Sequence, residues 1–385
     1  MFLLLYSDLH SANIYPFNVK RSKFVISEYS RVDELYSTLA WIATVVKEKG
    51  IALPINLGDT FHQALRFYVE RYNTTINAIT TINKSSTSQM GIVIEGNHDK
   101  SDNISAVETL ENYSNTTLVN NSIKIKYMSE INSHFVFVPY IRDPEKLKEV
   151  FGKLYEKFKK NKSNNVYVFC HIDLKEHVQT LHASSFQVSQ TNSYDDLHLD
   201  IYAAVFSGHI HNKMKIRDNF RYVGSCLNQN FGDRLEKKEI AILEITSSGY
   251  NIEFIKNPYC PLFVQLNLED EEKTNRKMEI IEEELKKYTH TNVYGRIFAL
   301  NSDSGRKKVE DFMNKYFHVF TSYEVKCLED ENEITESDME TASVSVINII
   351  DLIIEQGEKA LNESGVDVEL KEKYIDRLKT LCQLN

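Results

Sequence analysis

A chain of 385 residues is long enough for two or three domains with real interiors. Its 42% hydrophobic and 26% charged residues are the composition of a folded globular protein and not of a disordered or fibrous one. A formal charge of −10 argues against a generally basic nucleic-acid binder, so a nucleic acid would need a local basic patch or a partner to hold it.

The apolar start, residues 1–6, lacks a basic lead and runs straight into Ser7 and Asp8, so it reads as a buried strand and not as a signal peptide. No stretch approaches the roughly 20 apolar residues of a membrane span. A cytoplasmic protein is expected. Five scattered cysteines (Cys170, Cys226, Cys260, Cys327, Cys382), never spaced as Cys-x-x-Cys, argue against a disulfide framework and a zinc knuckle.

Short apolar runs at 2–6, 52–56, 91–95, 135–139, 166–170, 203–206 and 240–245 predict strands. Three- and four-residue apolar spacing predicts helices over 32–49, 67–83 and 144–160. This alternation is that of an α/β layered domain. The turn-rich Asn257-Pro258-Tyr259-Cys260-Pro261 marks a boundary. Beyond it, strands at 262–268 and 294–300 and helices at 273–288 and 307–317 make a small α/β unit. The expected divisions are 1–259, 260–327, an acidic linker 328–342, and a helical tail 343–385 made of helices at 343–357 and 367–384.

Chemistry-bearing residues follow five of the strands. Asp8-x-His10 can aim a carboxylate and an imidazole at one point. In Gly58-Asp59 the carboxylate can bridge two cations about 3.5–4 Å apart. Gly96-Asn97-His98-Asp99 offers an amide oxygen as ligand, an imidazole for a phosphate oxygen, and in Asp99 a carboxylate to orient that imidazole. His171 and then Gly208-His209-x-His211 complete the series. Together Asp8, His10, Asp59 and His211 can hold one metal, and Asp59, Asn97, His171 and His209 a second. The mixed nitrogen and oxygen shell suits Mn²⁺, Fe or Zn²⁺ better than Ca²⁺ or an all-oxygen Mg²⁺ site. Two such cations would polarise a phosphoryl group and lower the pKa of a bound water from about 15.7 toward roughly 7, so no side-chain nucleophile is required.

This ordered series, spanning residues 8 to 211, resembles the calcineurin-like metallophosphoesterases. The resemblance implies two β-sheets packed face to face with helices outside, a four-layer α/β/β/α sandwich, the ligand division just given, and His98 as the group that stabilises the transition state. Asp59-Thr60-Phe61-His62 is similar to the Gly-Asp-x-Phe-His form of the SbcD-type DNA double-strand-break nucleases, which implies that His62 assists exonuclease action. Gly224-Ser225 and Phe231-Gly232-Asp233 resemble the Gly-Ser and Phe-Gly-Glu stretch of that branch, with Asp in place of Glu; a strand and loop closing the domain is the expected role.

The segment after Pro261 resembles the capping domain of those nucleases. The tail resembles that of the T-even bacteriophage members, which implies docking to the coiled coil of an SbcC-type ATPase through Val346, Ile350, Ile353, Ile354, Ile375 and Leu378. The expectation is a DNA exonuclease and endonuclease subunit for double-strand-break repair and recombination. Its two divalent ions are expected to be Mn²⁺, with Mg²⁺, Fe or Zn²⁺ as alternatives, and the family implies a homodimer. Candidate DNA contacts are Lys20, Arg21, Lys23 and Arg31, with Lys213, Lys215 and Arg217. The rivals are a phosphatase or cyclic-nucleotide phosphodiesterase on the same fold, and a metal-free binding scaffold.

Overall fold

The computed structural model describes residues 1–11, 32–65, 69–102, 104–160, 165–176, 192–233, 237–288, 291–328 and 345–346. These fall into two compact units, the first ending at Cys260 and the second beginning at Pro261.

Two six-stranded mixed sheets form the first unit. In one, β1 (Phe2–Tyr6), β2 (Leu53–Asn56), β3 (Gly91–Ile94) and β6 (Thr116–Val119) lie side by side and parallel. A short ribbon of β4 (Lys100–Ser101) and β5 (Ile104–Ser105) intervenes in the chain between β3 and β6. Antiparallel strands β13 (Glu239–Thr246) and β14 (Gly249–Lys256) extend this sheet beyond β1. In the other sheet β8 (Ser133–Val138), β9 (Asn165–Cys170), β10 (Ala204–Ser207) and β12 (Phe220–Tyr222) run parallel. Antiparallel β7 (Lys124–Met128) and β11 (Met214–Arg217) form its edges.

The two-residue period of a strand explains how each sheet packs on both faces. Leu3 and Leu5 share a core with Phe135, Phe137, Tyr167 and Phe169 from the other sheet, while Leu4 and Tyr6 turn the opposite way. That opposite face is covered by α1 (Val32–Glu48), through Leu35, Leu39, Ile42 and Val46. On the second sheet, Val136, Val138, Val166 and Val168 face α3 (Pro144–Phe158), which contributes Leu147, Phe151, Leu154 and Phe158 at helical spacing. Asp143 caps α3, its carboxylate accepting from the N–H groups of Glu145 and Lys146, and Pro144 supplies a first-turn residue that needs no N–H partner. Helix α2 (Val69–Ser85) packs Ile76 and Ile79 against Val93 and Leu118.

The second unit is built on parallel strands β15 (Leu262–Asn267), β16 (Val293–Leu300) and β17 (Ser322–Leu328). Helices α4 (Glu271–Lys287) and α5 (Asp303–Tyr316) join them and send Met278, Ile281, Val309, Phe312 and Met313 into one cluster with Leu266, Ile297 and Val325. Two sequence expectations change here. Strand β17 was not anticipated, and it carries Leu328, placed by the sequence reading in the acidic linker. Ser345–Val346, expected inside a tail helix, form strand β18 against Lys326 and Cys327. The other tail positions, Ile350, Ile353, Ile354, Ile375 and Leu378, lie outside the described residues. Among the described residues no helix is long and apolar enough to cross a membrane.

Candidate metal centre

Five parallel strands end at one place. Asp8 follows β1, Asp59 follows β2, Asn97 follows β3, His171 follows β9 and His209 follows β10, each within three residues of the strand's last residue. Crevices at the carboxyl ends of parallel strands are where α/β folds gather functional groups. The loops are tied to one another through the backbone: the amides of Asp8, His10 and Ser11 donate to the carbonyls of Gly58, Asp59 and Thr60 at 3.0, 3.0 and 2.9 Å.

Side chains converge accordingly. Asp59 Oδ2 lies 3.6 Å from His10 Nε2 and 3.5 Å from His171 Nε2, midway between two groups of donors. On one side are Asp8, His10 and His211, with His10 Nε2 and His211 Nε2 3.0 Å apart. On the other, Asn97 Oδ1 lies 2.9 Å from both His171 Nε2 and His209 Nδ1. All seven residues named as ligands from the sequence are thus brought together around Asp59.

The backbone is bent to achieve this. Asp8, His10, Asp59 and His209 all have positive φ, at 53°, 43°, 52° and 82°. Left-handed conformations cost non-glycine residues on the order of 1–3 kcal/mol each and collect at functional sites. Two motif glycines are required by close approach: a Cβ on Gly96 would stand 2.2 Å from Asp59 Oδ1, and one on Gly58 2.3 Å from His171 Nδ1.

The family model for the calcineurin-like phosphoesterases matches residues 1–213, more than half of the chain. The chain belongs to that family. A metal-dependent phosphoester hydrolase follows from the membership and from three His and Asp clusters able to hold ions. Solved structures also match, among them a dimetal phosphatase from Danio rerio with 11% identity over 66% of this chain and 98% of that one, at a TM-score of 0.38. No curated protein matches the sequence.

Divalent ions fit the donors of this phosphoesterase centre. Asp8 is fully buried, and its Oδ2 has no hydrogen-bond partner while Oδ1 accepts from the His209 amide at 3.2 Å. A buried carboxylate oxygen left bare is costly unless a cation faces it. His171 Nδ1 lies 2.8 Å from the Leu57 carbonyl, which can only accept, so Nδ1 carries a proton and Nε2 is the nitrogen turned toward Asp59 and Asn97, where a cation would take its lone pair.

Electrostatics point the same way. Burial pushes the Asp8 carboxyl up, against the pull of His171 and His211. Burial also opposes ionisation of Asp59, but the imidazoles of His171, His10 and His98 win and hold it well below the usual carboxylate range. Burial alone would lower His171, yet Asp59 and Asp8 raise it to about 9. Removed from any cation, the carboxylates favour protons on His171 and His211, although burial pushes His10 down despite Asp59, and a site that draws protons to two of its imidazoles suits positive charge.

His98 and His62 lie beside this cluster. Their rings stack at 14° with centroids 5.5 Å apart, and His62 Nδ1 is 3.4 Å from His10 Nδ1. His98 Nδ1 sits 2.8 Å from the His62 carbonyl, which makes Nδ1 the protonated nitrogen and leaves Nε2 as the reactive one. Both line a cleft of about 340 Å³ together with Gln63, Leu65, Asn97, Lys100 and Ser101.

Asp99 does not orient His98 as its sequence neighbourhood suggested. Its fully buried carboxylate accepts from the amides of Thr60, Phe61 and Gly96 at 3.2, 2.8 and 3.0 Å, pinning the loop after β2 to the loop after β3. Burial and the nearby Asp59 raise it to about 7, against those three donors.

Three of the basic candidates contact side chains of neighbouring residues. Lys213 is paired with Glu239 and lies over the Phe254 ring, and Lys215 pairs with Asp218 at 2.6 Å. Arg217 sits over Tyr194. Lys20, Arg21, Lys23 and Arg31 lie outside the described residues.

Sequence reasoning missed the groups behind the ligands. Tyr140 stacks on His209, Asp173 Oδ2 lies 4.0 Å from His209 Nε2, and Asp233 Oδ1 lies 3.4 Å from His211 Nδ1. Asp173 carried a signal, standing two residues after His171, and so did Asp233 in the Phe231-Gly232-Asp233 stretch, whose expected role was only to close the domain.

Proposed function

We propose that this metallophosphoesterase is a DNA nuclease subunit that processes duplex ends with Mn²⁺, in concert with a coiled-coil ATPase of the SbcC type. The observation that carries this reading is His62: a second imidazole stacked on His98 and lining the same cleft is more than a small phosphomonoester requires. The Asp-x-Phe-His context of His62, the α/β unit after Pro261 read as a cap over DNA, and the apolar tail read as a docking element support it. Pairing of two copies through the phosphoesterase domain and a cytoplasmic location belong to the same proposal.

When bound, the two ions supply Lewis-acid polarisation of the phosphodiester and a more acidic water. The chain does the remaining work. Asp59 lies between the two sets of donors and would contact ions held by either, and the amide of His98 donates to Asp59 Oδ1 at 2.9 Å, which couples the loop of His98 to that carboxylate. His98, its Nδ1–H held by the His62 carbonyl, can carry a second proton on Nε2, donate it to the phosphate oxygen or to the departing 3′ or 5′ oxygen, and regain one from the attacking water. Hydrolysis forms one phosphorus–oxygen bond from water and breaks another, the leaving oxygen taking up a proton.

End-labelled duplex and single-stranded DNA incubated with the purified chain and Mn²⁺, with and without its ATPase, provides the test. Expected is degradation from the ends, with His98→Ala lowering the rate at least about 100-fold, in the range of a lost general acid–base group, while still binding metal. Hydrolysis of small aryl phosphoesters with no DNA cleavage under any of these conditions would overturn the nuclease reading in favour of a phosphatase or cyclic-nucleotide phosphodiesterase.

A further inference from the structure

Behind His211 stands a charged pair from a different loop. Asp233, in the short turn Phe231–Asp233, is 5% exposed. Its Oδ1 faces His211 Nδ1 at 3.4 Å, and its Oδ2 accepts from the Gln229 amide at 2.8 Å. Lys238, just ahead of β13, is 2% exposed. Its ammonium donates to the His211 carbonyl at 2.8 Å and lies 3.6 Å from Asp233 Oδ1. The Gln229 side chain in turn donates to the carbonyls of Asp8 and Leu9 at 3.1 and 3.3 Å.

A buried ammonium and a buried carboxylate are expensive to place in a protein interior, and as a packing device apolar side chains would serve as well or better. Their placement here is specific in another respect. His211 has two ring nitrogens; Nε2 faces His10 and the metal cluster, and Asp233 takes the other. A carboxylate on the far nitrogen of a ligating imidazole fixes its tautomer and ring orientation. Lys238 then serves two ends at once, balancing the charge of Asp233 and anchoring the main chain of His211.

We propose that Asp233 and Lys238 are positioning residues for the ion held by Asp8, His10 and His211. The carboxylate keeps the proton on Nδ1 so that Nε2 presents its lone pair, and the ammonium fixes the backbone from which that ring hangs. The second ion, on the Asn97, His171 and His209 side, receives no such support from this pair. The inference rests on the metal centre and is independent of whether DNA is the substrate.

Calorimetric titration of Mn²⁺ into the metal-stripped full chain reads this directly, together with the electron paramagnetic resonance spectrum of the loaded protein. In wild type two ions bind and their spins couple. Asp233→Asn is expected to weaken one ion about 10–100-fold, the usual range for such supporting groups, to leave the other unchanged, and to convert the coupled spectrum to that of isolated Mn²⁺ at intermediate loading. Asp233→Glu should recover part of the loss, and Lys238→Met should weaken the same ion. Lys238→Met also supplies the reading should Asp233→Asn not fold, as judged by circular dichroism in EDTA. Two ions weakened alike, or two ions unaffected, in a folded variant overturns the proposal.

Discussion

At the scale of single residues, the centre is held by contacts that tolerate no extra atom. Gly96 packs against both the carboxylate and the backbone nitrogen of Asp59, with an added Cβ falling 2.2 and 2.3 Å from them. Neither is the loose end of a flexible side chain. Gly96→Ala therefore pushes the Asp59 carboxylate out of place, and overpacking of this kind costs about 1–3 kcal/mol. A denaturation curve in EDTA should show that loss, and titration with Mn²⁺ should show both ions weakened, since Asp59 lies between both donor sets. Unchanged affinity for both would mean that the loop relaxes freely. The ligands were legible in the sequence because each stands just after an apolar strand. Asp99 was not, because adjacency in the chain says nothing of direction: it follows His98 immediately and yet turns to three backbone amides. The pairing of Asp233 and Lys238 with His211 was equally hidden, although Asp233 itself stood out in Phe231-Gly232-Asp233, since His211 is more than twenty residues away and no spacing rule connects them.

At the scale of elements, strands that are nearly unbroken apolar runs could be read, whereas exposed edge strands and the parallel strands β6, β12 and β17, which mix polar or charged residues with apolar ones, could not. β2, β3 and β10 are four-residue strands buried throughout, so each appears as an apolar run with turn residues after it. β7, β11 and β14 lie at sheet edges and mix charged with apolar residues, and their half-exposed positions resemble ordinary surface loops. Helix α3 shows what a legible helix carries: a capping Asp143, Pro144 in its first turn, and Leu147, Phe151, Leu154 and Phe158 on one face. Fully buried Phe151 packs this face against the second sheet on the side away from the core shared by the two sheets. Phe151→Ala should destabilise the chain by about 3–5 kcal/mol, the range for such cavities. Mn²⁺ affinity at 20 °C should stay within about threefold of wild type, because the β9 and β10 ends are set by strand pairing and not by the helix. A tenfold loss of affinity in the folded variant would show that α3 positions the ligands after all.

At the scale of the whole molecule, the distribution of charge separates the part that answers to metal from the part that does not. All the clusters able to hold an ion among the described residues belong to the first unit, where the buried Asp59 carboxylate opposes ionisation of Asp8. Ions that bind only the folded chain stabilise it by about 2.7 kcal/mol at a concentration 100 times the dissociation constant. For a domain of this size that corresponds to roughly 5–10 °C in Tm. The loops after β1, β2 and β10 carry the strain of left-handed ligands and, with the loops after β3 and β9 that bring Asn97 and His171, gain most from the cations, whereas the described residues of 262–328 hold no such cluster. Hydrogen exchange with and without Mn²⁺ distinguishes these two responses. Protection is expected to rise at residues 7–11, 57–62, 95–99, 171–173 and 208–211 and to stay level across β15, β16 and β17. Equal gains in both units would mean that metal binding tightens the entire chain, and the strain concentrated at Asp8, His10, Asp59 and His209 would then not be the quantity the ions offset.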